Sequence, residues 1–238
     1  AVYCYKTLHV IFNSTLLLKN TAVYDGAGMY CKLCKYVYLI NSRLQKNILD
    51  VAASHADYVA HNSDTTMGGV VYVQTCRHIE LLNCFVLYNQ VNSRKPKHAG
   101  GGLQGHEIQV IIVIGSEFNG NVGFRDGGGL GLTDVVSVRI TGCLFKYNRA
   151  NNGGGVSIVG IKNKTNIKIL EAIFNSNAAS WRRGLGGCLH ISNSFKVNID
   201  NSQLDRCQAK CCGGLYAGNT VVLAMYNCNI KKSKAHHG

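Results

Sequence analysis

Proline, acidic residues and long apolar runs are all scarce in this chain of 238 residues. It has one Pro and twelve Asp plus Glu residues. With one Pro, the breaks between strands must be made by Gly and Asn, which tolerate positive φ. The longest purely apolar run, residues 110–114 (VIIVI), is far too short to span a membrane. The 27 Gly residues also disfavour long helices.

A Gly-Gly-type doublet followed by an alternating apolar stretch recurs along the chain. Examples are GGGLGL at residues 127–132, GGGVSI at 153–158 and GGCLHI at 186–191. An apolar-x-x-Asn signature precedes nearly every doublet, as in FKYN ending at Asn148 and FNSN ending at Asn177. Because both signatures advance together by roughly 30 residues, they form one repeating unit of a solenoid.

Short strands without helices, broken by Gly and Asn, predict a parallel β-helix in which each unit is one rung. Crossovers between parallel strands are almost always right-handed. We therefore expect an all-β, right-handed, single-stranded parallel β-helix with about eight rungs in one domain, 1–238. The expected rungs lie near residues 1–27, 28–69 with an insertion at about 35–54, 70–101, 102–128, 129–154, 155–187, 188–213 and 214–238.

Stacked rungs place equivalent residues in columns. One column is predicted to be apolar and internal: Leu17, Val59, Val86, Phe118, Phe145, Phe174, Leu204 and Ile230. The Asn three residues later is predicted to form a structural amide ladder along the axis, comprising Asn20, Asn62, Asn89, Asn121, Asn148 and Asn177. Cys207 and Ser233 take this position in the last two rungs.

The eleven cysteines suggest disulfides in an oxidising compartment. Cys4 and Cys31 hold equivalent positions on adjacent rungs, which makes them the candidate disulfide. The cluster Cys207, Cys211 and Cys212 could supply others. A zinc site needs two CxxC-like pairs, and only one is present, at residues 31–34. No metal and no cofactor are therefore expected.

The alternation of GG-apolar and F-x-x-N motifs, as in FNSN followed by GGCLHI, resembles the repeats of the chlamydial polymorphic outer-membrane proteins. The resemblance covers nearly the whole chain and departs from the pattern at Cys207, Cys212 and Ser233. It implies a right-handed β-helix displayed outside the cell in an adhesion or matrix role, with no catalytic residues to carry over. The expected localisation is extracellular, whether secreted or on the cell surface.

The positions of the chain ends within the repeat suggest two alternatives. Ala1 follows a doublet-equivalent position, and Gly238 falls where the next doublet would begin. Solenoids need polar caps or a continuing neighbour at each end. We expect either an excerpt of a longer repeat protein, or molecules that stack end to end on copies of themselves or on other repeat proteins.

Basic residues concentrate on one edge of the predicted coil. The chain carries a net charge of +13. We call the segment between the Asn column and the next doublet the basic edge; its cations are Arg94, Lys95, Lys97, Arg125, Arg149, Arg182, Arg183, Lys210 and Lys234. Clustered like charges suggest a polyanionic partner, either an acidic polysaccharide or an anionic mineral surface. The alternative is a solvated edge that keeps the solenoid soluble.

A carbohydrate-active enzyme, either a polysaccharide lyase or a hydrolase, is the alternative function, because β-helices also host such enzymes. Hydrolases need paired carboxylates and calcium-assisted lyases need clustered acidic ligands. Here the carboxylates are scattered, and His106 with Glu107 and Arg125 forms the one compact polar group. Nucleic-acid binding is not expected, because the possible stacking stripe of Tyr30, Tyr72 and Tyr216 is interrupted by non-aromatic residues.

Overall fold

The computed structural model describes residues 1–22, 26–50, 69–92, 100–180 and 182–236. Within these ranges the chain is all β, and its paired strands run parallel from one rung to the next. Eight successive rungs stack into one coil. This arrangement confirms the predicted parallel β-helix.

Within the described residues, each rung contributes two to four strands of two to twelve residues. Rungs one to four contain β1 (Val2–Tyr5), β2 (His9–Asn13), β3 (Leu16–Leu18), β4 (Thr21–Ala22), β5 (Met29–Lys32), β6 (Tyr36–Ile40), β7 (Arg43–Gln45), β8 (Ile48–Asp50), β9 (Val71–Leu82), β10 (Phe85–Leu87), β11 (Gln90–Asn92), β12 (Leu103–Ile114) and β13 (Glu117–Asn119). Rungs five to eight contain β14 (Leu130–Thr141), β15 (Leu144–Lys146), β16 (Arg149–Ala150), β17 (Val156–Gly160), β18 (Asn166–Leu170), β19 (Ile173–Asn175), β20 (Ala178–Ala179), β21 (Leu189–Ser192), β22 (Lys196–Asp200), β23 (Gln203–Asp205), β24 (Gln208–Ala209), β25 (Leu215–Gly218), β26 (Val222–Tyr226), β27 (Asn229–Lys231) and β28 (Lys234–Ala235).

The strands form three faces around the coil. The first sheet runs from β1 to β25 through the doublet strands and includes β2, β6, β18, β22 and β26. The second sheet stacks β3, β7, β10, β13, β15, β19, β23 and β27. The third face consists of β4, β8 and β11, then Val122 by isolated bridges, then β16, β20, β24 and β28.

Residues in the left-handed region make the corners of the coil. At the corner between the second sheet and the third face, φ lies between 52° and 65° in all eight rungs, at Lys19, Lys46, Tyr88, Gly120, Tyr147, Ser176, Arg206 and Lys232. The doublets make another corner. Gly127 has a φ of 72°, and a Cβ on Gly128 would collide with the backbone of Arg149. The doublet therefore combines a left-handed corner with close contact between rungs, and both need Gly.

An apolar stack fills the coil next to the second sheet. Phe118, Phe145 and Phe174 stack with ring centroids 4.8 and 5.0 Å apart and nearly parallel planes. Leu17, Leu44 and Val86 continue the column at one end, and Leu204 and Ile230 continue it at the other. Complete burial of such a side chain contributes about 1.5–3 kcal/mol, so this column is a main source of stability.

The predicted insertion in the second rung is wrong for residues 35–50. Those residues form β6, β7 and β8, which pair in register with strands of the first and third rungs. Leu44 therefore occupies the internal column between Leu17 and Val86. Val59, predicted for that place, lies outside the described residues.

Candidate functional site

An Asn ladder runs along the corner between the second sheet and the third face. Asn121 shows its geometry: Nδ2 donates to Asn148 Oδ1 at 3.0 Å and to the Val86 carbonyl at 2.7 Å. Its own Oδ1 accepts from the backbone and side-chain nitrogens of Asn89, both at 3.0 Å. This pattern joins three successive rungs through one buried side chain.

The ladder runs through Asn20, Asn47, Asn89, Asn121, Asn148 and Asn177. The second position is taken by Asn47, which donates to Asn89 Oδ1 at 3.1 Å and receives a bond from Asn20 at 2.9 Å. Asn62 lies outside the described residues. Asn47 ends the segment LQKN, which fits the apolar-x-x-Asn signature, so the sequence held the signal that would have identified it.

The predicted Cys4–Cys31 disulfide is wrong. The two residues are register partners on β1 and β5, and both are free thiols. In-register parallel neighbours hold their Cβ atoms about 4.8 Å apart, whereas a disulfide needs roughly 3.5–4.5 Å. The disulfide is Cys188–Cys207, with Cα atoms 5.4 Å apart. Cys188 is the third residue of its doublet motif, and Cys207 occupies the Asn-column position of the same rung.

Four free thiols gather near the corner of the first sheet in rungs one to three. Cys34 Sγ donates to the Cys4 carbonyl at 3.6 Å, and Cys76 Sγ donates to the Gln74 carbonyl at 3.3 Å. Burial raises the pKa of Cys76 to about 12 and that of Cys31 further still. The thiols of Cys31 and Cys76 therefore stay protonated at neutral pH. All four thiols pack as small side chains in or against the core.

The described cations of the basic edge lie on or beside the third face. Arg125, Arg149, Arg182 and Arg183 are exposed and Lys210 is half-buried, while Arg94, Lys95 and Lys97 lie outside the described residues. These cations do not all lie in one column. Arg149 and Lys234 share a column, but the two positions between them are Ala178 and Gln208, which carry no charge. The edge is therefore a broad basic surface with cations at several register positions.

Carboxylates are nearly missing from the described part of the basic edge. Between the Asn column and the doublet of rungs four to eight, Asp126 is the one described acidic residue. It is buried, accepts a 3.0 Å hydrogen bond from Asn152 Nδ2 and lies 3.8 Å from Arg125 Nε. Among the described residues of this edge in rungs four to eight, cations therefore outnumber carboxylates six to one.

A groove that the sequence did not predict lies where the second sheet meets the third face. One wall is the corner column Tyr147, Ser176, Arg206 and Lys232; the other is the strand column Arg149, Ala178, Gln208 and Lys234. We call it the corner groove; its volume is about 800 Å³. A second concavity of about 480 Å³ adjoins it and shares Arg149, Ala178 and Gln208.

The middle position of the doublet strand, which holds Tyr30, Tyr72 and Tyr216, is buried in rungs three to seven and half-buried in rungs two and eight. Tyr72, Gln104, Ser157 and His190 are buried there. Gln104 Oε1 accepts from Gly100 N at 3.0 Å, and Ser157 Oγ lies 2.9 Å from His190 Nδ1. Because these side chains are buried, they cannot stack on a ligand.

The compact polar group around His106 differs from the predicted one. His106 lies 3.4 Å from Glu107 and 3.7 Å from Asp134, and Thr75 donates to Glu107 at 2.7 Å. Arg125 lies beside Asp126 instead. Within the described ranges, no group of three or more His, Cys, Asp or Glu side chains could hold a metal ion. Nor do the described residues contain a helix suited to crossing a membrane.

Comparison with known protein families, with curated proteins and with solved structures finds no match for this chain. The resemblance to the polymorphic outer-membrane-protein repeats therefore stays a prediction from the motifs.

Proposed function

We propose that this β-helix is an extracellular structural or adhesive scaffold that binds a polyanion through its basic edge. One observation carries the proposal: rungs four to eight display six described cations on this edge and one carboxylate, which is buried. Like charges held on a rigid solenoid repel one another, and a polyanion relieves that repulsion. The ligand classes are an acidic polysaccharide and an anionic mineral surface.

The proposal also covers the environment in which the protein works and its assembly with other molecules. The Cys188–Cys207 disulfide supports an oxidising environment, in keeping with an extracellular protein. The parallel strand edges of such rungs can pair with the strands of another β-helix. Homotypic stacking or stacking on other repeat proteins would then align basic edges from several molecules.

Charge reversal on the basic edge tests the proposal. In Arg182→Glu/Arg183→Glu, two exposed cations become anions, so binding to heparin or polygalacturonate at low salt should weaken roughly 30-fold or more. Wild-type binding should also fall steeply with added salt. Titration calorimetry at two ionic strengths measures both effects.

The matched control is Lys162→Glu/Lys164→Glu, which makes the same charge change in the exposed loop between β17 and β18. It should weaken binding less than threefold. Equal losses in both variants would show that net charge, not the basic edge, drives binding. Release of reducing sugar from polygalacturonate, lost in Glu107→Gln, would instead favour a carbohydrate-active enzyme.

A further inference from the structure

The corner groove combines positive charge from both of its walls. Arg206 and Lys232 occupy successive rungs of the corner column, and Arg149 and Lys234 mark the two ends of the strand column. All four side chains belong to exposed residues. Among the described residues that line the groove there is no Asp or Glu. A ligand inside it would therefore meet cations on both sides.

The neighbouring polar groups suit a hydroxylated ligand. Gln208 lines the same groove and offers its side-chain amide. The hydroxyls of Ser176 and Ser233 also line it; they donate within the protein, to Asn175 Oδ1 and to the Lys231 carbonyl, and can accept hydrogen bonds from a ligand. Arg206 is oriented by its neighbour, because its Nε lies 3.0 Å from Asp205 Oδ2. A guanidinium held along one edge by a carboxylate loses less side-chain entropy when an anion binds to it.

The spacing of the cations requires a ligand with several charges. Arg149 and Lys234 are three rungs apart, which corresponds to about 14 Å along the axis. One phosphate or sulfate ion cannot reach both. The groove is also concave, with the small residue Ala178 between Arg149 and Gln208. A polymer chain can enter such a groove, whereas a flat mineral surface cannot.

We propose that the corner groove binds a linear acidic polysaccharide that lies along the coil axis, with its sulfate or carboxylate groups on Arg149, Arg206, Lys232 and Lys234. This inference rests on the proposed polyanion binding and deepens it, because it selects a polysaccharide chain over a mineral and adds Arg206 and Lys232. Single-stranded nucleic acid fits less well, since it is usually bound by several stacking aromatic rings, and Tyr147 is the one aromatic residue among the described groove lining.

Groove and edge variants separate this inference from the proposed function. Arg206→Glu/Lys232→Glu changes the groove alone, and Arg182→Glu/Arg183→Glu changes the edge outside it. The probes are heparin oligosaccharides and oligogalacturonates of increasing length, oligo(dT) and silica particles. The groove variant should lose roughly 100-fold in affinity for the oligosaccharides. Wild-type affinity should rise with oligosaccharide length until the chain spans about 14 Å and then level off.

The milder variant Arg206→Gln/Lys232→Gln is the control for misfolding, and its thermal unfolding is measured. It should unfold at the same temperature as the wild type and lose roughly tenfold in affinity for the oligosaccharides. If the edge variant loses binding and both groove variants keep it, the groove assignment is wrong and the proposed function stands. If the wild type binds no probe, both are wrong. Tighter binding to oligo(dT) or to silica than to the oligosaccharides would overturn the polysaccharide assignment.

Discussion

The corner between the second sheet and the third face is built differently in rungs one to six and in rungs seven and eight. In the first region each Asn side chain from Asn20 to Asn148 bonds to the Asn of the next rung, as Asn121 does to Asn148. In rung seven the same position is Cys207, which forms a covalent bond to Cys188 within its own rung. Its backbone nitrogen then donates to Ser233 Oγ at 3.3 Å.

This difference shows two ways to hold one corner. The amide ladder connects rungs, so the loss of one member leaves polar groups unsatisfied in its neighbours. The disulfide connects two faces of a single rung, so the coupling between rungs comes from the backbone pairing and from the Cys207 N–Ser233 Oγ bond. The first region should therefore respond to substitution over several rungs, and the second more locally.

The largest effect is expected from Asn121→Ala. It removes both donors to Asn148 and Val86 and the acceptor for Asn89, all of them buried. We expect the free energy of unfolding to fall by about 3–5 kcal/mol, measured by urea denaturation. The control Asn166→Ala, an exposed amide on β18, should change it by less than about 0.5 kcal/mol. Similar losses in both variants would refute the special role of the ladder.

Removal of the disulfide should come next. Cys188→Ala/Cys207→Ala removes a disulfide between residues that are 19 positions apart in the sequence. The free energy of unfolding should fall by about 3 kcal/mol. Cys188→Gly/Cys207→Asn should recover part of this loss, since it recreates the Gly155 and Asn177 arrangement of the previous rung. If this variant is no more stable than the double Ala variant by thermal and urea unfolding, the two kinds of corner are not interchangeable.

The smallest effect concerns pH and the buried His190 of rung seven. Burial lowers the pKa of His190, and the nearby Asp126 partly opposes this; Ser157 and Tyr216 also contact the ring. Because the folded-state pKa is below the unfolded value, the unfolded state binds the proton first as pH falls. Stability should therefore decline as pH falls through about 6.5 and further until the folded-state pKa is passed.

Urea midpoints measured from pH 8 to pH 5 test this expectation. His190→Gln should flatten the decline, whereas His9→Gln, which replaces an exposed ring in rung one, should leave it unchanged. An unaltered slope in His190→Gln would assign the acid sensitivity to other groups.

Much of the coil could be predicted from the repeat, because equivalent residues in successive rungs must stack. The columns through Phe118, Phe145 and Phe174 follow directly from their F-x-x-N motifs. The second rung could not be placed in this way, since LQKN at 44–47 and VAHN at 59–62 both fit the signature. The pairing of Leu44 with Leu17 and Val86 decided between them.

By itself, the sequence determined the β-helix, its period and the internal columns, since a repeat specifies which residues are neighbours along the axis. Only the tertiary structure decided the partner of Cys207 and the walls of the corner groove. Both depend on distances across a rung, between residues on different faces. Those distances are set by how sharply each corner bends, and the apolar alternation of the strands carries no information about that angle.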